Sequence, residues 1–311
     1  MNGVETAEVA AAVERLWPGL TASIAALSGG ITNRNYRVDV GGSSYVLRVG
    51  GKHTDLLGID RATEHDASLR AAEVGVGPEV VEFVEPEGWL VTRFIVGRGV
   101  PPEEIRTQDG IRRVAAALRK IHGAARIPGW FDAHAVVEAY RDESVRQGVS
   151  IPAEFDDAHR VSEKIRRARG LQPEVPCNND LLNANFIDDG DIRIVDWEYA
   201  GMGDRFFDLA NLSVNHDFGL EEDGLLLAAY FDVEVPAHLA ALRLMRVMSD
   251  FREAMWGVLQ SGISELDFDF KEYAAKHFTR LMTAAESPEF EAYLSGVATN
   301  APLPDPARKR R

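Results

Sequence analysis

The spacing of apolar positions changes character near residue 95. Before that point the chain reads as short alternating runs. TASIAALS reads as a strand and leads into the polar, glycine-rich SGGITNRN. YRVDV and SYVLRV alternate with strand period and flank Gly41-Gly42, a two-residue hairpin signal. IDRATEHDASLRAAEVG carries a helical pattern that stops at Gly75 and Gly77-Pro78, as helices commonly do. PEVVEFV and GWLVTRFI are two further strands around the turn EPEG. The predicted order is strand, loop, two strands, helix, two strands. Ahead of them MNGVETAEVAAAVERLW reads as a short amphipathic helix, without the basic leader and apolar run of a secretory signal.

GRGVPP then interrupts the pattern as a hinge or linker. Beyond it the period is helical, in EEIRTQDGIRRVAAALRKIHG, AHAVVEAYRDESVRQG and AEFDDAHRVSEKIRRARG. A short strand pair, NFIDDGDIRIVDW, lies in the middle, and the longest apolar face belongs to AHLAALRLMRVMSDFREAMWGVLQ. These elements predict an α+β chain of two lobes, a small antiparallel-sheet lobe with one main helix over 1–95 and a larger, mostly helical lobe over 96–311. A cleft between such lobes is a common ligand site.

Composition narrows the function classes. The 311 residues are 45% apolar and 27% charged, ordinary for a globular protein, and no run approaches a membrane span. Thirty-four Lys and Arg against 49 Asp and Glu give a net charge of -15, which disfavours nucleic acid and steers cations inward. Solubility alone would also account for that charge. A single cysteine, Cys177, cannot form an internal disulfide, so a reducing, cytoplasmic location is expected. Whether the chain is a monomer or a homodimer is open at this level.

The chemistry concentrates in CNNDLLNANFIDDGDIRIVDWEY. Asp180 precedes Asn185 with four residues between, and a hairpin turning at Asp188-Asp189-Gly190-Asp191 brings Asp196 back. Pairing Ile187 with Ile192 would set Asn185 opposite Ile194, with Asp196 just beyond. Two oxygen ligands and a separate carboxylate then emerge at one end of one hairpin. Phosphoryl transfer needs that set: oxygen ligands for Mg2+ and a carboxylate off the metal to orient an acceptor hydroxyl. The spacing is that of the general kinase template.

At this point the sequence resembles the choline/ethanolamine kinase family, a branch of the aminoglycoside-phosphotransferase and protein-kinase-like fold. The resemblance runs from about Leu27 to about Phe278 through LSGGITNRNYRV, YVLRVGG, the Glu64 helix, NND-x4-N, VDWEYAGMGDRFFDLAN and MWGVLQSGISELDFDFKEY. It implies an ATP-dependent kinase with Asp180 as catalytic base and Asn185 and Asp196 as Mg2+ ligands. Ser28, Gly29, Gly30, Thr32 and Asn33 match its nucleotide phosphate loop, where glycines let backbone N–H groups approach phosphate. Arg48 stands where this fold keeps a phosphate-holding base, with Glu64 its expected ion-pair partner. Thr92 to Ile95, including Arg93 and Phe94, match the hinge that meets adenine. Glu198 follows Asp196 closely, and Asp208 is expected to brace the catalytic loop. Trp256, Phe268, Phe270 and Tyr273 match aromatic positions near the acceptor, Phe270 reading as core.

Two departures matter. The family's His-Asn-Asp is Asn178-Asn179-Asp180 here. The tryptophan expected three residues before Trp256 is Glu253, and the acidic residue expected after FFDLAN falls near the neutral Asn215. Trimethylammonium offers no N–H donor, whereas a primary ammonium wants acceptors, so Glu253 favours ethanolamine or an aminopropanol over choline. Two other readings share these residues: another alcohol or aminoglycoside as acceptor, and a nucleotide-binding protein of weak activity. His122, at a helix end, reads as a buried structural histidine.

Overall fold

The computed structural model describes residues 3–27, 33–233 and 235–298. Helix α1 (Gly3–Leu16) leads into strands β1 (Ala22–Leu27), β2 (Asn33–Val40) and β3 (Ser43–Gly50). Gly41 and Gly42 both take positive φ, 58° and 77°, as a two-residue hairpin between twisted strands requires. Helix α2 (Arg61–Glu73) begins at Asp60, whose carboxylate accepts the Thr63 N–H at 2.6 Å. Strands β4 (Val80–Val84) and β5 (Trp89–Arg93) complete a five-stranded antiparallel sheet ordered β1-β2-β3-β5-β4.

Strand alternation assigns the two faces of this sheet. Tyr36, Val38, Leu47, Val49 and Val91 point one way and pack with Val9 and Val13 of α1. Their neighbours Val46, Arg48, Leu90 and Thr92 point the other way, into a cleft. Helix α2 turns Ala67 and Ala71 into the core cluster of the second lobe, so it seals the join between lobes.

The second lobe departs from expectation in local ways. GRGVPP contains strand β6 (Arg98–Gly99), which pairs with the central hairpin instead of running free. The expected first long helix is two: α3 (Pro102–Ile105), then α4 (Gln108–His122) capped by Thr107, whose hydroxyl accepts the Gly110 N–H at 3.0 Å. Helices α5 (Ala133–Arg146) and α6 (Phe155–Arg169) follow. Strand β7 (Glu174–Cys177) has no alternating pattern to betray it; it pairs with the later glycine-rich β10. The central hairpin is β8 (Phe186–Asp188) and β9 (Ile192–Ile194), then β10 (Gly201–Asp204) and α7 (Arg205–Asn215). Helices α8 (Leu220–Phe231), α9 (Pro236–Ile263), α10 (Phe270–Ala285) and α11 (Pro288–Ala298) end the described chain. α9 is the axis of the lobe, packing on α5, α7, α10 and α11. Its fully buried Leu242, Met248, Phe251 and Leu259 each contribute about 1.5–3 kcal/mol. No single helix among the described residues is long and apolar enough to cross a membrane.

The hairpin register differs by one residue from the expected pairing. Phe186 faces Ile194, and Ile187 faces Arg193. A one-residue slip exchanges the faces of every side chain. Burying Phe186 and Ile194 together, both at 0% exposure, selects the observed register. Asp188 closes the turn by accepting the Gly190 N–H at 3.0 Å. Its carboxylate is also gripped by the Arg113 fork at 2.7 and 3.1 Å and by Arg98 at 3.2 Å.

Those partners, Arg113 foremost, hold the Asp188 carboxyl down at about 2, against an ordinary 3.8. A carboxyl depressed by folding stabilises above its unfolded pKa and loses that contribution as pH falls through the folded one. Asp188→Asn should lower Tm at pH 7 by about 2–4 °C, corresponding to about 1 kcal/mol. The gap to the parent should close as pH is lowered from 4 towards 2 in calorimetry.

Candidate active site

The loop between β7 and β8 is held from both sides. The buried Asp208 carboxylate on α7 accepts the backbone N–H groups of Asn178 and Asn179 at 2.9 and 2.7 Å. Behind it His122 Nε2 lies 3.0 Å from Asp208, and His122 Nδ1 lies 2.7 Å from the Tyr230 hydroxyl. Asn211 accepts the Leu181 N–H at 2.7 Å. Asn178 then does two things with one amide. Its Nδ2 donates to the Asp196 carbonyl at 2.8 Å, and its Oδ1 accepts the Asp180 N–H at 3.0 Å. The residue standing in place of histidine therefore ties Asp180 to Asp196. Asn179 and Asp196 both sit in the left-handed region, with φ of 66° and 67°, a conformation Asn and Asp tolerate better than most.

Asp180, Asn185 and Asp196 all line one cavity of about 450 Å³ between the lobes. Asn185 Nδ2 donates to the Asp180 carbonyl at 2.9 Å, which leaves its side-chain oxygen for another partner. Burial, opposed by Arg252 and reinforced by Glu253 and Asp196, pushes the Asp180 carboxyl up to about 7. Burial and Asp196 push Glu198 up to about 8.

The sheet lobe supplies the cation. Arg48 reaches across from β3 and pairs with Glu64 of α2 at 2.7 Å and with Asp196. Burial disfavours its charge, but the surrounding carboxylates outweigh that and raise its pKa. Arg61 is a residue that pattern reading missed. It donates to Glu64 at 2.5 Å, to Glu198 at 3.3 Å and to Asn33 at 3.0 Å. Asn33 in turn donates to Glu198 at 2.8 Å. Glu198 lines the cleft, but its carboxylate is engaged by the sheet lobe. Ser28, Gly29, Gly30 and Thr32 lie outside the described residues. Thr92, Arg93, Phe94 and Ile95 line the cleft at its sheet-lobe end. The Phe94 N–H already donates to Ser44 O at 3.0 Å, and that of Arg93 to Glu79 O at 2.8 Å.

At the helical-lobe end α9 and α10 bring together Glu253, Trp256 and Tyr273. Tyr273 donates its hydroxyl to Glu253 Oε2 at 2.7 Å, and Trp256 Nε1 donates to the Tyr199 hydroxyl at 3.0 Å. Two expected acceptor residues are not on this wall. Asn215 ends α7, where its amide donates to Leu181 O at 3.3 Å and to Asn211 at 3.1 Å. Phe268 is 46% exposed on the loop before α10, packed edge-on against Phe270 with ring centres 4.8 Å apart. Arg252, which no motif marks, does reach the wall, with its guanidinium 3.3 Å from Asp180 and 3.1 Å from Glu253.

This two-lobed frame, with a strand cation paired to a helix carboxylate above a braced loop, is that of a kinase-like phosphotransferase. The chain belongs to the phosphotransferase enzyme family, whose model matches residues 23–245. It is 34% identical to a choline/ethanolamine kinase family protein from Mesorhizobium loti, with a TM-score of 0.82 covering 95% of this chain and 99% of that one. Ethanolamine kinase 1 of Mus musculus is 24% identical over 327 residues, 88% of each chain. A structure of LicA in complex with AMP has a TM-score of 0.75 at 22% identity, covering 94% of this chain and 100% of that one. The protein is a small-molecule kinase of this fold, a nucleotide-binding phosphotransferase with an alcohol group as acceptor.

The bridging of Asp180 to Asp196 by Asn178 has a direct test. Asn178→Ala removes both bonds and should lower kcat about 10–100-fold, because small misplacements of reacting groups are costly. KM for ATP should move less than about threefold, since Asn178 does not itself line the cavity. Steady-state kinetics on the purified variant separates the two.

Proposed function

We propose that this protein transfers the terminal phosphate of ATP to the hydroxyl of a small primary amino alcohol, of the ethanolamine or aminopropanol type. The observation that carries this reading is the wall formed by Glu253, Trp256 and Tyr273 in the same cavity as Asp180. An ammonium group beside it meets aromatic faces and a carboxylate, the two features that hold organic cations. The carboxylate accepts N–H bonds that a primary ammonium can donate and a trimethylammonium cannot. The net charge of -15 favours the arrival of a cation.

In this reading residues 1–95 form the nucleotide lobe and 96–311 the acceptor lobe. The segment from Thr92 to Ile95 receives adenine. Among these residues Ile95 makes no backbone hydrogen bond in the described structure, which leaves its N–H and C=O for the base. The segment from Ser28 to Asn33 covers the phosphates, and Arg48, oriented by Glu64, neutralises them.

The donor set suits Mg2+. Asn185 and Asp196 offer hard oxygens on one side of the cleft, and the Asn185 amide nitrogen is already committed elsewhere. When bound there, Mg2+ would neutralise charge on the phosphate oxygens. Asp180 orients the acceptor hydroxyl and accepts its proton as the oxygen attacks the terminal phosphorus in line and ADP leaves. Asn178 holds the Asp180 backbone while this occurs. Little covalent work falls to the protein; positioning and charge neutralisation carry the rate.

A coupled ADP-release assay with Mg-ATP against choline, ethanolamine, 1-amino-2-propanol and kanamycin tests the reading. Release should depend on a primary amino alcohol and fall at least about 1,000-fold in Asp180→Asn. Release with kanamycin alone would move the acceptor to another class, and no release from a protein that binds ATP would end the kinase assignment to amino alcohols. Glu253→Gln should raise KM for the primary amino alcohol about tenfold and leave KM for ATP unchanged, the cost of one charge-assisted hydrogen bond. Unchanged kinetics in that variant would remove Glu253 from the acceptor site.

A further inference from the structure

Arg252 is the most deeply buried of the arginines that line the cleft. It lies in the middle of α9, beside the buried Met248, Phe251 and Met255, and its side chain is 2% exposed. Taking a guanidinium out of water costs several kcal/mol unless partners surround it. Two of its partners are the carboxylates that the amino-alcohol reading assigns to the acceptor. Nη1 is 3.1 Å from Glu253 Oε1, and Nη2 is 3.3 Å from Asp180 Oδ1. Nη2 also donates to the Asn179 carbonyl, and the guanidinium carbon sits 5.2 Å from the centre of the Tyr199 ring. Nε has no hydrogen-bond partner among the described residues. An apolar side chain would pack this helix position at lower cost, so stability alone does not explain the arginine.

What the guanidinium does is hold two carboxylates at once. Asp180 is on the loop between β7 and β8, and Glu253 is on α9; no hydrogen bond joins them directly among the described residues. One nitrogen of this planar, rigid group donates to Asp180 and its neighbour lies in ion-pair contact with Glu253, which draws the two carboxylates towards one another. Tyr273 closes the arrangement from the other side by donating to Glu253 Oε2 at 2.7 Å. Asn179, whose carbonyl Arg252 holds, keeps its left-handed turn through a second bond from Nδ2 to Tyr199 O at 3.0 Å.

We propose that Arg252 is a positioning residue that sets the distance between the hydroxyl end and the ammonium end of the acceptor, and so selects amino alcohols by chain length. The inference rests on the amino-alcohol reading above: Asp180 meets the hydroxyl and Glu253 the ammonium. Because both carboxylates lie against one guanidinium, they are held close together, which favours acceptors with a short spacer between nitrogen and oxygen. Acceptors with a longer spacer reach one carboxylate and miss the other.

The test is the ratio of kcat/KM for ethanolamine to kcat/KM for 3-amino-1-propanol, measured in the parent and in Arg252→Lys. A lysine keeps the charge but cannot grip both carboxylates with a planar fork. The parent should favour the two-carbon acceptor, and the variant should lower the ratio about tenfold with KM for ATP within about twofold of the parent, a split that general loosening of the fold does not produce. An unchanged ratio in a variant that binds ATP would overturn the inference. Should Arg252→Lys fail to fold, the double variant Arg252→Gln with Glu253→Gln removes the buried Arg252–Glu253 ion pair together and is compared with Glu253→Gln alone. A lower kcat and a lower ratio in the double variant support the role of Arg252, and equal values in the two overturn it. If the parent turns over no amino alcohol at all, the functional reading falls and takes this inference with it.

Discussion

Arg48 cannot leave water alone, and the cleft is organised around that constraint. Its guanidinium is buried, so it needs charged partners around it. Glu64 satisfies it from α2 and Asp196 from the helical lobe, so one side chain joins both lobes at the point where phosphate chemistry would occur. Arg61 repeats the arrangement one layer out, linking Asn33, Glu64 and Glu198. The lobes are therefore joined by charges that have meaning only together. Removing one carboxylate would leave a buried cation with too few partners, whereas removing an exposed pair such as Lys52–Glu265 would cost little.

The helical lobe solves a different problem, which is to hold an irregular loop still. Residues 178 to 185 form no long element, and their backbone polar groups still need partners. Asp208, Asn211 and Asn178 supply them from side chains. This is why a segment with a left-handed residue, Asn179, can persist at the edge of the cleft. The same rigidity carries from α9 into the cleft wall, because Glu253 and Trp256 stand on a helix that packs on α5, α7, α10 and α11.

Much of this was legible beforehand. The strand alternation in YVLRV alone points Leu47 and Val49 to the core and Arg48 to the cleft, because the period of a strand is two. The spacing of Asp180, Asn185 and Asp196 announces their convergence, since a hairpin must return the chain. The hairpin register was less legible: Ile187 and Ile192 look like natural partners, and only the shared burial of Phe186 and Ile194 decides against them. Strands β7 and β10 carry no alternating signal, since proline and glycine positions there are set by pairing with each other.

The local code of the chain determined which residues could do chemistry and the order of the elements that carry them. Tertiary packing decided which of them meet. Asn215 and Phe268 are as plausible in sequence as Glu253 and Tyr273, yet the end of α7 spends the first on Leu181 and Asn211, and the loop before α10 leaves the second exposed. Arg252 has no motif, because its meaning lies in partners 72 and 73 positions away along the chain. Short-range patterns report backbone propensity and the faces of elements. A buried charge is defined by whatever surrounds it, and only the folded chain supplies that.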